Sequence, residues 1–256
     1  MAGTGKVALI TGAGRGIGKA LALAFGRDGY AVAAASTTAE RNDAVAGEIR
    51  QTGGEALPLT IDVTDEQAVR DGVKKTVDTF GRVDVLINNA GLKTNLVPTE
   101  QRSSLKDLDP ALWRRMLDVN ATGAFLSARE CIPAMLANGG GAIINISTGA
   151  GVTPRPGQGV YAVSKAALNM LNGILALELK DHNISVNALI PGFTVERPPA
   201  NRPQGSSPLK TGTSAPLCLY LAKQDPIEVT GQIIDVLKWN EEHGFGGEEA
   251  WSIFAP

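Results

Sequence analysis

The residue types that most often announce hydrolytic or metal chemistry are scarce in this chain. Among 256 residues there are two histidines and two cysteines. His182 and His243 lie far apart and neither neighbours a cysteine, so no metal-ligand spacing exists. No Gly-x-Ser-x-Gly elbow occurs and neither histidine is placed to activate a serine, which sets hydrolases aside. Cys131 and Cys218 each stand alone in an apolar, helical-looking stretch and read as buried, reduced thiols rather than a disulfide. Charge of one sign is lacking as well. With 24 Lys and Arg against 26 Asp and Glu, the net charge of −2 gives no field strong enough to draw nucleic acid or an anionic membrane. No apolar run approaches the ~20 residues of a membrane helix. The first strand begins so near the N-terminus that no signal peptide fits before it, and a cytoplasmic location is expected.

What is present is a rhythm. Short Val- and Ile-rich runs at 7–10, 30–35, 55–61, 83–87, 142–146 and 184–190 read as buried parallel strands. Between them, stretches at 17–27, 39–51, 66–80, 110–137 and 160–181 carry apolar or small residues at helical spacing. Such alternation predicts an α/β domain, a doubly wound parallel sheet of about seven strands with helices on both faces. A chain of this length fits one such domain, spanning 1–256, and buries enough surface to need no staples. No repeat and no flexible interdomain linker appears. Two connections are long: 92–109, which is polar, and 196–212, rich in Pro, Ser and Gly. Both are expected to wall a substrate cleft.

The first strand ends in Thr11-Gly12-Ala13-Gly14-Arg15-Gly16-Ile17-Gly18 and a helix follows at once. Gly12 suits a tight turn, Gly14 and Gly16 admit a pyrophosphate to backbone N–H groups, and Gly18 lets the helix sit close to the strand. The strict G-x-G-x-x-G spacing is not met, because Ile17 holds the third position. NAD sites usually place an acid after the second strand to bond the ribose 2′-hydroxyl. Here Ser36-Thr37-Thr38 stand there, with no carboxylate before Glu40 and with Arg15 and Arg41 nearby. A 2′-phosphate is favoured by that set, so NADP(H) is the expected cofactor, with NAD(H) as the other option.

Tyr161 and Lys165 are four residues apart at the start of a helix and project from one face. A free phenol with a pKa near 10 is a poor acid at neutral pH. A neighbouring ammonium is expected to pull it toward the working range, which suits proton transfer to a carbonyl oxygen.

In order along the chain stand the glycine turn, Asn88-Asn89-Ala90-Gly91, Asn120, Tyr-Ala-Val-Ser-Lys at 161–165 and Pro191-Gly192. In these motifs the chain resembles the short-chain dehydrogenases/reductases, particularly the acyl-carrier-protein ketoreductase branch, over about residues 5–195. The resemblance implies a Rossmann fold, an NAD(P)-dependent oxidoreductase and an assembly of two or four copies. It implies Tyr161 as general acid, Lys165 on the nicotinamide ribose, and Asn120 holding a water in a proton relay. It further implies Asp62, with Val63 beside it, at the adenine, Asn88 to Gly91 (Ala90 among them) at the adenosine ribose, Pro191 and Gly192 flanking the nicotinamide, and Thr194 at the carboxamide.

The chain departs from the family pattern in three places. The serine that orients the carbonyl in the family is replaced, at the matching position, by Thr148, with Ser147 one step earlier. Adjacent strand residues face opposite ways, so only one of the two serves, and Thr148 is preferred. Glu196 stands where a threonine is frequent. A last strand resembling the family's appears at 230–236, but the tail 237–256, with Phe245, Trp251 and Phe254, is atypical. That tail is expected to pack on a neighbouring subunit or over a substrate entrance. Arg102, Lys106, Arg114 and Arg115 near the cleft read as a solvated face. Two rivals share the fold: a sensor that binds NADP(H) without turnover, and a lyase resembling the halohydrin dehalogenases. The retained glycine loop and lysine argue against the lyase.

Overall fold

The computed structural model describes residues 5–93, 105–191, 211–224 and 229–245. Seven strands form one sheet: β1 (Val7–Thr11), β2 (Ala31–Ser36), β3 (Ala56–Thr60), β4 (Val85–Asn88), β5 (Gly141–Ile146), β6 (Ile184–Ile190) and β7 (Ile233–Asp235). Their spatial order is β3-β2-β1-β4-β5-β6-β7, with every neighbouring pair parallel.

The alternation of side chains along β1 shows why both faces must be covered. Ala8 and Ile10 enter one core with α1 (Gly16–Arg27), α2 (Ala39–Gln51) and α7 (Ala215–Lys223). Leu9 enters the other with α3 (Glu66–Phe80), α5 (Gly123–Ala137) and α6 (Gly159–Leu179). Each face is a separate apolar core, and parallel strands buried on both sides need no polar alternation. Cys218 lies in the first core and Cys131 in the second, both as buried free thiols. The chain leaves β1 to one side for β2 and returns on the other for β4. A crevice therefore opens at the carboxyl ends of β1 and β4, where doubly wound sheets bind ligands.

Three sequence expectations change here. The single helix expected at 110–137 is α4 (Pro110–Leu117) and α5, joined by a π-helical turn at Asp118–Thr122. The long helix α6, with the turn that follows it, spans Gly159–His182 and is long and apolar enough to cross a membrane, contrary to the reading of the sequence. It packs along the sheet, and it buries Lys165 and Asn172.

The third concerns the C-terminus. The last strand is shorter than expected, and Asp235 caps a helix α8 (Val236–Glu242) by accepting from Leu237 and Lys238 N–H. The described tail folds on its own chain: Trp239 stacks on His243 at 4.1 Å and lies 5.1 Å from Tyr220 of α7. Trp239 was not singled out in the sequence, yet it anchors the segment with only 8 % of its surface exposed. Trp251 and Phe254 lie outside the described residues, as do most of the two long connections.

Candidate active site

The crevice begins with the glycine turn. Gly12 takes a left-handed φ of +65°, and a Cβ there would stand 2.8 Å from the Asn89 side-chain nitrogen. Gly18 is still tighter, since a Cβ would lie 2.2 Å from the Gly12 carbonyl oxygen. Helix α1 can thus start directly against the turn only because both positions lack a side chain. Gly14 faces the end of β2, where a Cβ would lie 2.8 Å from Ser36 Oγ and 3.0 Å from Arg41 Cβ. Gly16 and Ile17 open α1, and Arg15 before them makes no side-chain capping bond. With no acid in the first turn, that helix end keeps its positive polarity. The cradle fits a pyrophosphate.

The loop after β4 clamps the turn. Asn89 Nδ2 donates to the carbonyls of Thr11 and Gly12 at 3.0 and 3.1 Å, and the N–H groups of Asn89 and Ala90 donate to Thr11 Oγ1. Asn88, expected at the ribose, turns inward instead. Its amide donates to Asn145 Oδ1 and the Ala124 carbonyl because consecutive strand residues face opposite sides.

At the end of β2, the Ser36 hydroxyl donates to Asn42 Oδ1, while Asn42, fully buried, donates to the Ser36 and Leu59 carbonyls. Thr37 is exposed and Thr38 leads into α2 without a side-chain cap. Among the described residues at this edge, 35–38, none is a carboxylate. Asp62 is exposed and uses one carboxylate oxygen to hold Thr64, whereas Val63 is buried and fills the space that Gly123 leaves.

Across the crevice β5 runs into Ser147 and Thr148, and a 3-10 turn at Gly149–Gly151 leads toward α6. Ser147 and Thr148 do diverge. The Ser147 hydroxyl donates to Asn169 Oδ1 at 2.6 Å, while the Thr148 side chain lies on the Tyr161 side, near enough to influence the phenol. Tyr161 packs in a small apolar cluster with Met116, Val160, Leu92 and Trp113. Burial there pushes its phenol up, and Thr148 pulls it partly back down. Burial is the larger of these two influences.

Lys165 is buried and donates from Nζ to the Ile146 carbonyl at 2.7 Å. Burial, with the nearby charge of Lys93 added, brings its ammonium down to about 8. Asn120 occupies the π-helical turn, where its amide accepts from Leu92 N at 2.7 Å and donates to Leu92 O and to Ser164 Oγ. It thereby joins the loop after β4 to α6. Gly91 lies between the two groups: a Cβ on it would be 3.2 Å from Asn120 Oδ1 and 3.6 Å from Lys165 Nζ.

The structure therefore brings Gly91, Asn120, Thr148, Tyr161 and Lys165 to one end of the crevice and the glycine turn and Ser36 to the other, with Ala90 between them. Pro191, at the end of β6, is buried, while Gly192, Thr194 and Glu196 lie outside the described residues. Of the basic residues near the cleft, Lys106 pairs with Asp107, Arg114 and Arg115 are exposed, and Arg102 lies outside the described residues. Sequence reasoning did not single out Lys93 or Asn169. The spacing of Asn169, one further turn along the face of Tyr161 and Lys165, was the available signal.

Comparisons with known proteins converge on one set of relatives. The family described as short chain dehydrogenase matches residues 6–203. The chain is 35 % identical over 243 residues to the 3-oxoacyl-[acyl-carrier-protein] reductase of Thermotoga maritima, covering 91 % of this chain and 96 % of that protein. It is 41 % identical over 193 residues to a 3-oxoacyl-[acyl-carrier-protein] reductase of Synechocystis, covering 74 % of each. Among solved structures, carveol dehydrogenase from Mycobacterium avium in complex with NAD superposes with a TM-score of 0.81 at 26 % identity, covering 91 % of this chain and 96 % of that one.

Proposed function

The chain belongs to the short-chain dehydrogenase family, and from that premise we propose that it is a reductase of ketones or aldehydes that prefers NADPH. Membership makes it an NAD(P)-dependent oxidoreductase acting on CH–OH or C=O groups. A 3-oxoacyl thioester, the substrate class in the relatives' names, is the leading candidate. One observation carries the reading: Tyr161 and buried Lys165 stand one turn apart on α6, with Thr148 beside the phenol, at the end of a cradle shaped for a dinucleotide.

The glycine turn and the start of α1 would hold the pyrophosphate, and Lys165, Ala90 and Gly91 would face the nicotinamide half. When bound, the nicotinamide supplies the hydride. Burial keeps Tyr161 protonated at neutral pH, so its proton would be available to the substrate oxygen, which becomes strongly basic as the carbonyl is reduced. Thr148 would orient that oxygen by turning the single proton of its hydroxyl from the phenol to the substrate. Leu92, Met116 and Trp113 keep bulk water from the phenol, which favours a directed proton transfer. Asn120 holds the loop bearing Gly91 against α6, beside Lys165.

The preference for NADPH rests on the uncharged edge at Ser36, Thr37 and Thr38 and on the nearness of Arg41 to Gly14. A homo-oligomer, dimer or tetramer, fits the outer face of α5 and α6. That face exposes Phe125, Met170, Ile174 and Leu177, with Leu177 72 % exposed. We place the enzyme in the cytoplasm, with no membrane or nucleic-acid partner. The deciding assay follows NADPH consumption by absorbance across ketones, aldehydes and 3-oxoacyl thioesters, with NADH in parallel. Turnover that disappears in Tyr161→Phe is the expected result. Tight NADPH binding without turnover on any of them would turn the reading toward a sensor.

A further inference from the structure

We propose that Asn169 is a positioning residue of this site, bracing the 147–151 segment against α6 so that Thr148 is held in place on the Tyr161 side of the crevice. Its consequence for turnover rests on the reductase reading, but its consequence for Tyr161 does not.

The two polar ends of Asn169 bracket Thr148. Its Oδ1 accepts from the Ser147 hydroxyl at 2.6 Å, one residue before the threonine. Its Nδ2 donates to the Gly151 carbonyl at 3.1 Å, three residues after it. Between those anchors the Thr148 carbonyl accepts from Gly151 N at 3.0 Å, a bond that holds the turn together but does not tie it to α6. The threonine hydroxyl accepts from Ala150 N at 3.5 Å, a length at which a hydrogen bond is weak.

The segment also lies directly on the helix. A Cβ on Gly151 would stand 2.8 Å from the Lys165 carbonyl carbon and 3.0 Å from Asn169 Nδ2. Helix α6 therefore carries the phenol, the ammonium and the brace on successive turns, at positions 161, 165 and 169. The brace fixes the register between that helix and the loop holding Thr148. A strand end alone does not do this, because β5 pairing stops at Ile146 with one further bond from Ser147 N to the Leu189 carbonyl. Without Asn169 the 148–151 turn is free to lift and to carry Thr148 away from the phenol.

The test compares Asn169→Ala, Ser147→Ala and the double variant with the unaltered protein. The phenols are followed by carbon-13 NMR of labelled tyrosine, in which Tyr161 is one of three and is assigned by its loss in Tyr161→Phe. The Tyr161 titration should move upward in both single variants, because the influence of Thr148 that opposes burial is lost, and no further in the double variant. In parallel, kcat should fall roughly tenfold or more while the NADPH dissociation constant stays within about twofold, since a misplaced contact weakens the transition state rather than cofactor binding. Should Asn169→Ala not fold, Ser147→Ala, which removes one hydroxyl, carries the test. A Tyr161 titration that stays in place in a folded variant would overturn the proposal. Absence of turnover in the unaltered protein would count against the reductase and leave the titration to judge the brace.

Discussion

The Asn89 side-chain nitrogen donates to the Gly12 carbonyl oxygen at 3.1 Å, and the same oxygen is the atom a Cβ on Gly18 would strike. The loop after β4 thus holds the glycine turn in the shape that α1 needs. Replacing Asn89 by Ala removes two donors from partly buried carbonyls, at a cost of about 1–3 kcal/mol. NADPH affinity should fall about tenfold, read by fluorescence titration. Gly18→Ala, which has no room to relax, should abolish binding. Unchanged affinity in both would detach the turn from the cofactor.

Thr148 keeps the hydroxyl that a serine would supply and adds a methyl. Thr148→Val should lower kcat by about a hundredfold or more, as loss of a donor to a developing charge does. Thr148→Ser should retain kcat and lower KM for bulkier ketones. A Thr148→Val enzyme with full activity would move the orienting role elsewhere.

Much of this was legible in the sequence, and the failures have physical causes. Helices 39–51 and 66–80 and strand 184–190 were read to the residue, since period and flanking turns agree there. The π-helical turn at Asp118–Thr122 was not, because it goes with an Asn120 amide that is bonded to Leu92, 28 residues away. The same holds in part for α8: Val236 continues a strand-like run, while the helix is started by the Asp235 cap and held by Trp239 docking on Tyr220. At the site, the spacing of Tyr161 and Lys165 was visible. The apolar cluster that raises the phenol was not, because Leu92 comes from the loop after β4 and Trp113 and Met116 from α4, both far in sequence from Tyr161.

Lys165 gives a pH signature in the protein without cofactor. Its folded value of about 8 lies below the 10.5 of a free lysine. Between those pH values the unfolded chain holds a proton that the folded one releases, so stability rises with pH through the window and is penalised below it. Lys165→Met should melt higher than the unaltered protein at pH 7, with the gap closing as pH climbs from 8 toward 10.5. Calorimetry at several pH values measures this. Lys93→Met, by removing the like charge, should raise the Lys165 value and shift the window upward. A gap independent of pH would contradict the burial of an ionisable Lys165.

The uncharged end of β2 makes cofactor choice testable with one substitution. Ser36→Asp places a carboxylate beside Gly14, where it would repel a 2′-phosphate and accept from a 2′-hydroxyl. The ratio of kcat/KM for NADPH to that for NADH should fall at least tenfold. An unmoved ratio would place the discrimination outside this edge.

Leu177→Asp, on the exposed face of α6, should split the assembly into smaller species in light scattering. The melting temperature would then become independent of protein concentration. An unchanged mass would put the interface on another surface.

The phenol, the threonine beside it, the lysine and the brace all fall within residues 146–169, one strand end, one turn and the first half of one helix. Their mutual bonds run inside that stretch, so it can be inherited as a unit. Transplanted whole, such a stretch would carry its own bracing with it, as a cassette does.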